Sequence, residues 1–180
     1  NMTGNNQEYV QKCLEFSERL QAEGKPKELA VLFQELQKPS AYPKPHLLYV
    51  KEKFQLDDIL YFLFLCAFLY ETDTTLSSYV YKKTKASFLS LGILLSWYSG
   101  LYPLPVNAAA VCMAFLNEDI LFQRIEETYL MMTPVRLQAY VLYYLSSGCL
   151  PQHKAFRYVE VSQQTFASIY KEQLAELLKN

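Results

Sequence analysis

The spacing of hydrophobic positions near the N-terminus predicts two amphipathic helices. Along the first, the apolar face is formed by Val10, Cys13, Leu14 and Leu20. Along the second, the i, i+3, i+4, i+7 spacing of a helix face is met by Leu29, Leu32, Phe33 and Leu36. Gly24 is a suitable stop for the first helix, and Pro26 suits the first turn of the second. We expect residues 1–38 to form a charged helical hairpin.

Prolines mark a boundary after this hairpin. Pro39, Pro43 and Pro45 follow one another closely, and proline is excluded from the interior of a regular helix. Residues 39–45 are therefore interpreted as an extended connector, since no clear proline-rich ligand motif stands out there. Residues 46–180 form the apolar helical core domain, which we expect to fold as one unit with the hairpin.

The segment at residues 59–70 is apolar on every side and predicts a buried central helix. Asp57 or Asp58 can cap its N-terminus. At 1.5 Å per residue the apolar run reaches about 18 Å, which is well short of a hydrocarbon core of about 30 Å. A core helix is therefore favoured over a membrane element.

A longer stretch, residues 86–117, contains no charged residue at all. Gly100, Pro103 and Pro105 divide it, and Asn107 can cap a second, alanine-rich helix. A membrane span needs about 20 consecutive apolar residues, and neither part supplies them. The pattern predicts two helices in the middle of a core, joined by a proline corner, and no transmembrane span.

The rest of the chain is also read mainly as helix. Residues 118–132 show one broad apolar face that includes Ile120, Leu121, Ile125, Tyr129 and Leu130. Thr133 and Pro134 predict the start of another helix that Gly148 ends, and a last helix is expected after Ser162. Residues 46–55 suit either a strand or a short helix, residues 75–85 suit a strand or the lead into the next helix, and residues 153–162 suit a short strand or an extended return. The fold predicted is all-α: a single compact domain of about eight helices with buried apolar central helices and, at most, minor short strands.

Composition and charge narrow the class of protein. Apolar residues make up 51% of the chain and charged residues 19%, which excludes disorder. The net charge is −1, and the densest basic stretch holds only Lys82, Lys83 and Lys85, so no nucleic-acid partner is expected. The residues after Met2 are polar and resemble no signal peptide, and the four cysteines form no C-x-x-C pair. These features predict a cytoplasmic protein with free thiols.

Candidate chemistry is sparse. His46 and His153 are the chain's 2 histidines, and Pro151 stands between Cys149 and His153, so no helix aligns that pair. Neighbouring carboxylates such as Asp57 and Asp58 fall at expected helix starts, where negative charge offsets the helix dipole. Glycine-rich phosphate loops and the G-x-S-x-G motif are absent from the sequence. We expect no catalytic site, no metal site, no cofactor and no enzymatic activity.

Tyrosine is the distinctive residue, with 15 Tyr beside 11 Phe and 1 Trp. Because tyrosine is rigid and amphipathic, it is enriched at protein interfaces. The candidate partner-binding residues are Trp97, Tyr98, Tyr102, Tyr140, Tyr143 and Tyr144. The sequence thus favours a non-enzymatic protein-binding module, an adaptor or chaperone-like subunit of a larger complex that uses an aromatic groove or a helix face. The alternatives are a carrier of an apolar small molecule or lipid, lined by residues 59–70 and 88–102, and a peripheral membrane-associated protein.

Overall fold

A computed structural model of the chain describes residues 4–38, 44–125 and 129–149. Within these ranges the protein is all-α, as predicted, with eight α-helices and one turn of 3-10 helix at Leu130–Met132. The α-helices are α1 (Gly4–Ala22), α2 (Pro26–Gln37), α3 (His46–Lys53), α4 (Asp58–Thr72), α5 (Thr74–Thr84), α6 (Leu91–Ser99), α7 (Ala108–Asn117) and α8 (Ala139–Ser147). Extended pairing in this part of the chain is limited to two isolated antiparallel bridges, Ser90 with Pro134 and Phe122 with Leu137.

Helix α4 is the centre of the core. All its residues from Tyr61 to Leu69 are buried, as the uniformly apolar sequence predicted. The carboxylate of Asp57 accepts a hydrogen bond from the backbone N–H of Leu60 at 3.0 Å, which confirms the predicted cap. In the part of the chain that is described, no single helix is long and apolar enough to cross a bilayer. Helices α4 and α5 pass that criterion only as a pair, and the pair is bent by 104°.

The α1–α2 hairpin packs directly on α4 through aromatic side chains. The Phe33 ring lies 5.9 Å from that of Phe16 and 5.4 Å from that of Phe62, between ring centroids. The Tyr9 hydroxyl donates to the carbonyl oxygen of Leu36 at 2.7 Å and contacts the Tyr61 hydroxyl at 2.6 Å. Burial raises the pKa of both tyrosines, so both hydroxyls stay protonated. The hairpin therefore shares one core with α4.

Asp73 forms the corner between α4 and α5. Its carboxylate caps α5 by accepting a hydrogen bond from the Thr75 N–H at 3.0 Å. The same carboxylate accepts a hydrogen bond of 2.6 Å from the hydroxyl of Ser17, a buried residue of α1. One side chain therefore starts α5 and joins this corner to the hairpin.

The prediction of a helix over residues 118–132 is wrong. Asp119 has a φ of 57°, and Ile120, Leu121 and Phe122 are all buried in a non-helical segment. This segment runs beside the chain ahead of α8, where the Gln138 N–H donates to the Leu121 carbonyl at 2.9 Å. Burial of three consecutive apolar residues requires both sides of the chain to be covered, and an extended segment achieves this where an amphipathic helix does not.

Several helix boundaries also differ from the prediction. Helix α6 begins at the Ser90 cap, whose hydroxyl accepts from the Ile93 N–H at 3.2 Å, rather than at residue 86. Helix α8 begins after Gln138, because Thr133 and Pro134 belong to the extended segment that bonds to Leu89 and Leu91. The connector at residues 39–43, His153 and the C-terminal helix expected after Ser162 lie outside the described residues.

Gly148 ends α8 as predicted and supports a first test. Its φ is 78°, its N–H donates to the Tyr144 carbonyl at 2.7 Å, and a Cβ there would lie 3.0 Å from the His46 ring. Gly148→Ala is expected to lower the free energy of unfolding by about 2 kcal/mol, from left-handed strain and the clash together. Urea denaturation measures the loss.

Gly24→Ala is the matched control for this substitution. Gly24 has a similar φ of 81°, but nothing lies within 4 Å of a Cβ at that position. It therefore carries the backbone strain without the clash, and its loss of stability should be about 1 kcal/mol. Equal losses at the two positions would show that His46 does not restrict the space beside Gly148.

Candidate functional site

The structure divides the six predicted partner-binding aromatics into buried and accessible side chains. Tyr98, Tyr140 and Tyr144 are buried. Trp97 and Tyr102 are partly buried against the core, and Tyr143 is 42% exposed. Accessible aromatic surface at the predicted site is therefore restricted to Trp97, Tyr102 and Tyr143.

Tyr98 and Tyr102 come together at the end of α6 and close that side of the core. Their ring centroids are 5.4 Å apart, and the Tyr98 ring packs edge-on against Phe62, also at 5.4 Å. The Tyr102 hydroxyl donates to the Ala30 carbonyl at 2.9 Å and accepts from the Gln34 amide at 2.9 Å. Burial, with a smaller effect of Asp58, raises the pKa of Tyr98 to about 12. These two tyrosines thus join α6 to α2 and α4.

The tyrosines of α8 pack against other elements. The Tyr140 hydroxyl donates to the Ile120 carbonyl at 2.6 Å, which ties α8 to the extended segment. The Tyr144 ring lies 5.3 Å from the His46 ring of α3. Burial raises the pKa of both hydroxyls. Tyr143 lies on the outer side of α8.

Trp97 lines an open cleft of about 220 Å³ between the end of α6 and the turn of the hairpin. The cleft is also lined by Leu20, Leu29 and Tyr79, and by the charged residues Arg19, Glu23 and Lys25. Glu23 forms an ion pair of 3.0 Å with Lys83 and a hydrogen bond with Tyr79. Burial and this carboxylate raise the pKa of Tyr79 to about 12. The partly apolar cleft therefore has a charged rim, whose Glu23 is paired with Lys83 just outside the cleft.

Helix α7 presents an apolar face that the sequence did not reveal. Its inner side chains Ala108, Cys112 and Leu116 are buried at i, i+4, i+8 spacing. Its outer residues, Ala110, Val111 and Ala114, are exposed, and no residue of α7 carries a charge. The prediction that this alanine-rich helix occupies the middle of the core is therefore wrong.

The loop before α7 extends this uncharged surface along the chain. Val106 is fully exposed and Leu104 is 39% exposed, beside exposed Pro103 and Pro105. We call residues 104–114, through their exposed members, the α7 surface. The exposed members are Leu104, Pro105, Val106, Asn107, Ala110, Val111 and Ala114.

A second exposed apolar surface is formed by four consecutive residues around the 3-10 helix. Tyr129 is 87% exposed, and the next three, Leu130, Met131 and Met132, are 43–50% exposed. This segment packs closely on α6, because a Cβ on Gly92 would lie 2.7 Å from the Met131 carbonyl oxygen. The sequence placed Tyr129 and Leu130 on one broad apolar helix face together with the buried Ile120 and Leu121, and this too is wrong.

Reactive groups are few in the described part of the chain. Burial raises the pKa of Cys13 and Cys66, and it raises the pKa of Cys112 to about 11, so all three remain thiols at neutral pH. Cys149 is exposed. Among the residues that can be assessed, no three His, Cys, Asp or Glu side chains are grouped as metal ligands would be.

Comparison with known proteins gives no relative: no family model, no curated protein and no solved structure matches this chain. A function is therefore proposed from the exposed α7 surface and the exposed segment at residues 129–132.

Proposed function

We propose that this protein is a non-enzymatic helical protein-binding module, an adaptor or chaperone-like subunit of a larger complex, and that the α7 surface is its docking face. The observation that carries the proposal is the exposed, charge-free outer side of α7. Burying a charged group in an interface costs solvation energy, and the centres of interfaces are depleted of charged residues. The α7 surface can be covered by a partner without that cost.

The placement of the tyrosines changes the form of the proposal. A groove built from all six aromatics would need Tyr98, Tyr140 and Tyr144 at the surface, and these are buried. A helix face is therefore favoured over an aromatic groove. Small residues on the outer side, such as Ala110 and Ala114, allow the backbone of a partner element to approach closely.

Site-specific photo-crosslinking in cells tests this proposal. A photoreactive phenylalanine analogue at Val111 should yield a covalent adduct with one protein of defined mass. The same analogue at Tyr81 of α5, which is 54% exposed, is the control and should yield none. Adducts of the same pattern at both positions, or none at Val111, would contradict an α7 docking face.

A charged substitution on the α7 surface tests the same docking face by weakening binding. Val111→Glu is expected to reduce the crosslink formed from a second position, Val106, by at least tenfold, because the partner would have to bury an unpaired carboxylate. Since Val111 is 38% exposed, the urea midpoint should change little. Tyr81→Glu should leave the crosslink unchanged. Retention of the crosslink in Val111→Glu would count against the proposal.

Peripheral membrane association is the second candidate, and the exposed segment at residues 129–132 favours it. Exposed aromatic and methionine side chains can enter the interfacial region of a bilayer. Co-sedimentation with neutral and anionic vesicles tests it, with Tyr129→Glu as the variant. Binding that this variant abolishes would favour the membrane, whereas no binding would leave the protein partner as the better proposal.

The lipid-carrier alternative has less support. The two helical segments that would line its cavity contact each other directly, through Phe62 of α4 and Tyr98 of α6. Native mass spectrometry of the purified protein tests it. A stoichiometric lipid adduct would favour the carrier over the adaptor.

A further inference from the structure

Tyr129 is the most exposed tyrosine in the described part of the chain. It is 87% exposed, compared with 54% for Tyr81 and 42% for Tyr143. Tyr81 lies within α5 and Tyr143 within α8, whereas Tyr129 comes just before the 3-10 helix at Leu130–Met132. Of these three exposed tyrosines, Tyr129 alone lies outside an α-helix.

The backbone at Tyr129 is extended, with φ −66° and ψ 141°. Its carbonyl oxygen accepts hydrogen bonds from the Met132 N–H at 2.8 Å and from the Thr133 hydroxyl at 3.3 Å. Among the described residues, no hydrogen-bond partner of its own hydroxyl is found. A tyrosine within an α-helix is surrounded by backbone hydrogen bonds that must break before its neighbours can extend. The Tyr129 ring can therefore enter the active site of another protein without the unfolding of an α-helix.

The segment at residues 129–132 is held on the fold at its C-terminal end. The Leu91 N–H donates to the Thr133 carbonyl at 2.8 Å, and the Val135 N–H donates to the Leu89 carbonyl at 2.8 Å. These bonds fix the chain directly after the exposed segment. A segment whose position is already fixed loses less entropy when another protein binds it.

The sequence next to Tyr129 carries negative charge only. Glu126 and Glu127 precede it, and residues 125–135 contain no lysine or arginine. Complementary charge speeds association and excludes wrong partners, and kinases select their substrates partly by such charge patterns. The segment therefore suits an enzyme whose substrate cleft is basic.

We propose that Tyr129 is a phosphorylation site, modified by a protein tyrosine kinase. The phenolic oxygen of Tyr129 attacks the γ-phosphorus of ATP, the bond to the leaving ADP breaks, and the hydroxyl proton passes to a base of the kinase. The added phosphate carries a charge of about −1.5 to −2 at pH 7. It would lie beside the exposed side chains of residues 130–132, so phosphorylation changes this segment from an apolar surface to an anionic one. This proposal does not depend on the α7 surface.

Phosphorylation of the purified full chain tests whether the fold selects this tyrosine. The protein is incubated with magnesium ATP and the catalytic domain of a soluble tyrosine kinase that prefers acidic substrates. The first phosphate should be at Tyr129, and Tyr129→Phe should lower the initial rate at least tenfold. Because that substitution removes only an exposed hydroxyl, the urea midpoint should not change. Tyr81→Phe is the control and should react as fast as the parent. An unchanged rate in Tyr129→Phe, or a first phosphate at another tyrosine, would contradict the proposal.

The protein isolated from the cells that produce it shows whether the site is used. Trypsin cleaves after Arg124 and Arg136, so Tyr129 is the one tyrosine in a peptide of residues 125–136. With orthovanadate added to block phosphatases, mass spectrometry should find this peptide with a phosphate on Tyr129. The unmodified peptide alone, from cells whose other proteins carry phosphotyrosine, would overturn the proposal. A phosphate on a threonine of the peptide in place of Tyr129 would overturn it as well.

Discussion

Phe33→Ala is expected to lower the free energy of unfolding by about 3–5 kcal/mol. Phe33 is fully buried, and its ring contacts those of Phe16, Tyr61, Phe62 and Tyr102. These rings belong to α1, to α4 and to the corner after α6, so truncation opens a cavity where the hairpin meets the core. The loss should be near the upper end of the range, because the surrounding aromatic rings are themselves buried or hydrogen-bonded and cannot collapse into the space.

Urea denaturation followed by circular dichroism measures this loss. Phe88→Ala is the matched control, since Phe88 is only partly buried and lies outside the apolar core cluster. It should cost about 1 kcal/mol or less. If Phe33→Ala instead splits unfolding into two separate steps, the hairpin and the rest of the chain would be independent folding units.

The second large effect is expected at Asp73. Asp73→Ala removes the α5 cap, worth about 1 kcal/mol, and leaves the buried Ser17 hydroxyl without its acceptor, which costs about 1–3 kcal/mol. A total loss of about 2–3 kcal/mol is expected, because the two effects share one side chain and need not add fully. Thermal or urea unfolding at neutral pH provides the measurement.

The charge of Asp73 also makes its contribution pH-dependent. Burial by itself would raise the pKa of this carboxyl, but hydrogen bonds from Ser17, Thr75 and Leu76 outweigh it, and the pKa is lowered. A lowered folded-state pKa means that the stabilisation is present above the unfolded value, about 3.9, and is lost as pH falls through the folded-state value. The parent protein should therefore lose stability below about pH 4 more steeply than a variant that lacks the charge.

Asp73→Asn separates the contribution that the charge makes to stability from the contribution that the helix cap makes. Asparagine caps helices nearly as well as aspartate does, so α5 should keep its start. Its stability at pH 7 should fall less than that of Asp73→Ala, and the extra loss below pH 4 should be absent. An unchanged acid profile in Asp73→Asn would show that this carboxylate is not linked to stability.

Local chemistry made part of the fold predictable. The Asp57 cap and Gly148 each act within one turn of their own helix, so the neighbouring residues are enough to predict where that helix begins or ends. The run at residues 59–70 has no polar face, and burial follows from that alone. These features did not require knowledge of distant neighbours.

The rest depended on contacts between distant segments. Ile120 and Leu121 fit an apolar helix face as well as they fit an extended chain, and only the pairing with residues 136–138 decides between them. The tyrosines posed the same difficulty, because the hydroxyl of Tyr140 is satisfied by the carbonyl of Ile120. No pattern in the nearby sequence indicates such a hydrogen-bond partner. The sequence therefore could not show which of the candidate tyrosines are buried and which are exposed.

The α7 surface was missed for a related reason. Alanine and valine without charged neighbours are typical of a buried helix, and nothing in residues 108–117 marks one side as outward. A helix face that a partner would cover has the same apolar, charge-free composition as a face that the core covers, since both are removed from water.

Trp97 gives this molecule a built-in optical probe. It is the chain's 1 tryptophan, and its cleft is shared with Leu20, Gly24 and Leu29 from the hairpin. Indole emission moves to longer wavelength as the ring becomes more hydrated. If the turn of the hairpin separates from α6, the emission wavelength of Trp97 should increase. Because the chain has no second tryptophan, the whole of the tryptophan fluorescence comes from this site. Movement at this junction can therefore be followed in the unlabelled protein, in real time and at micromolar concentration.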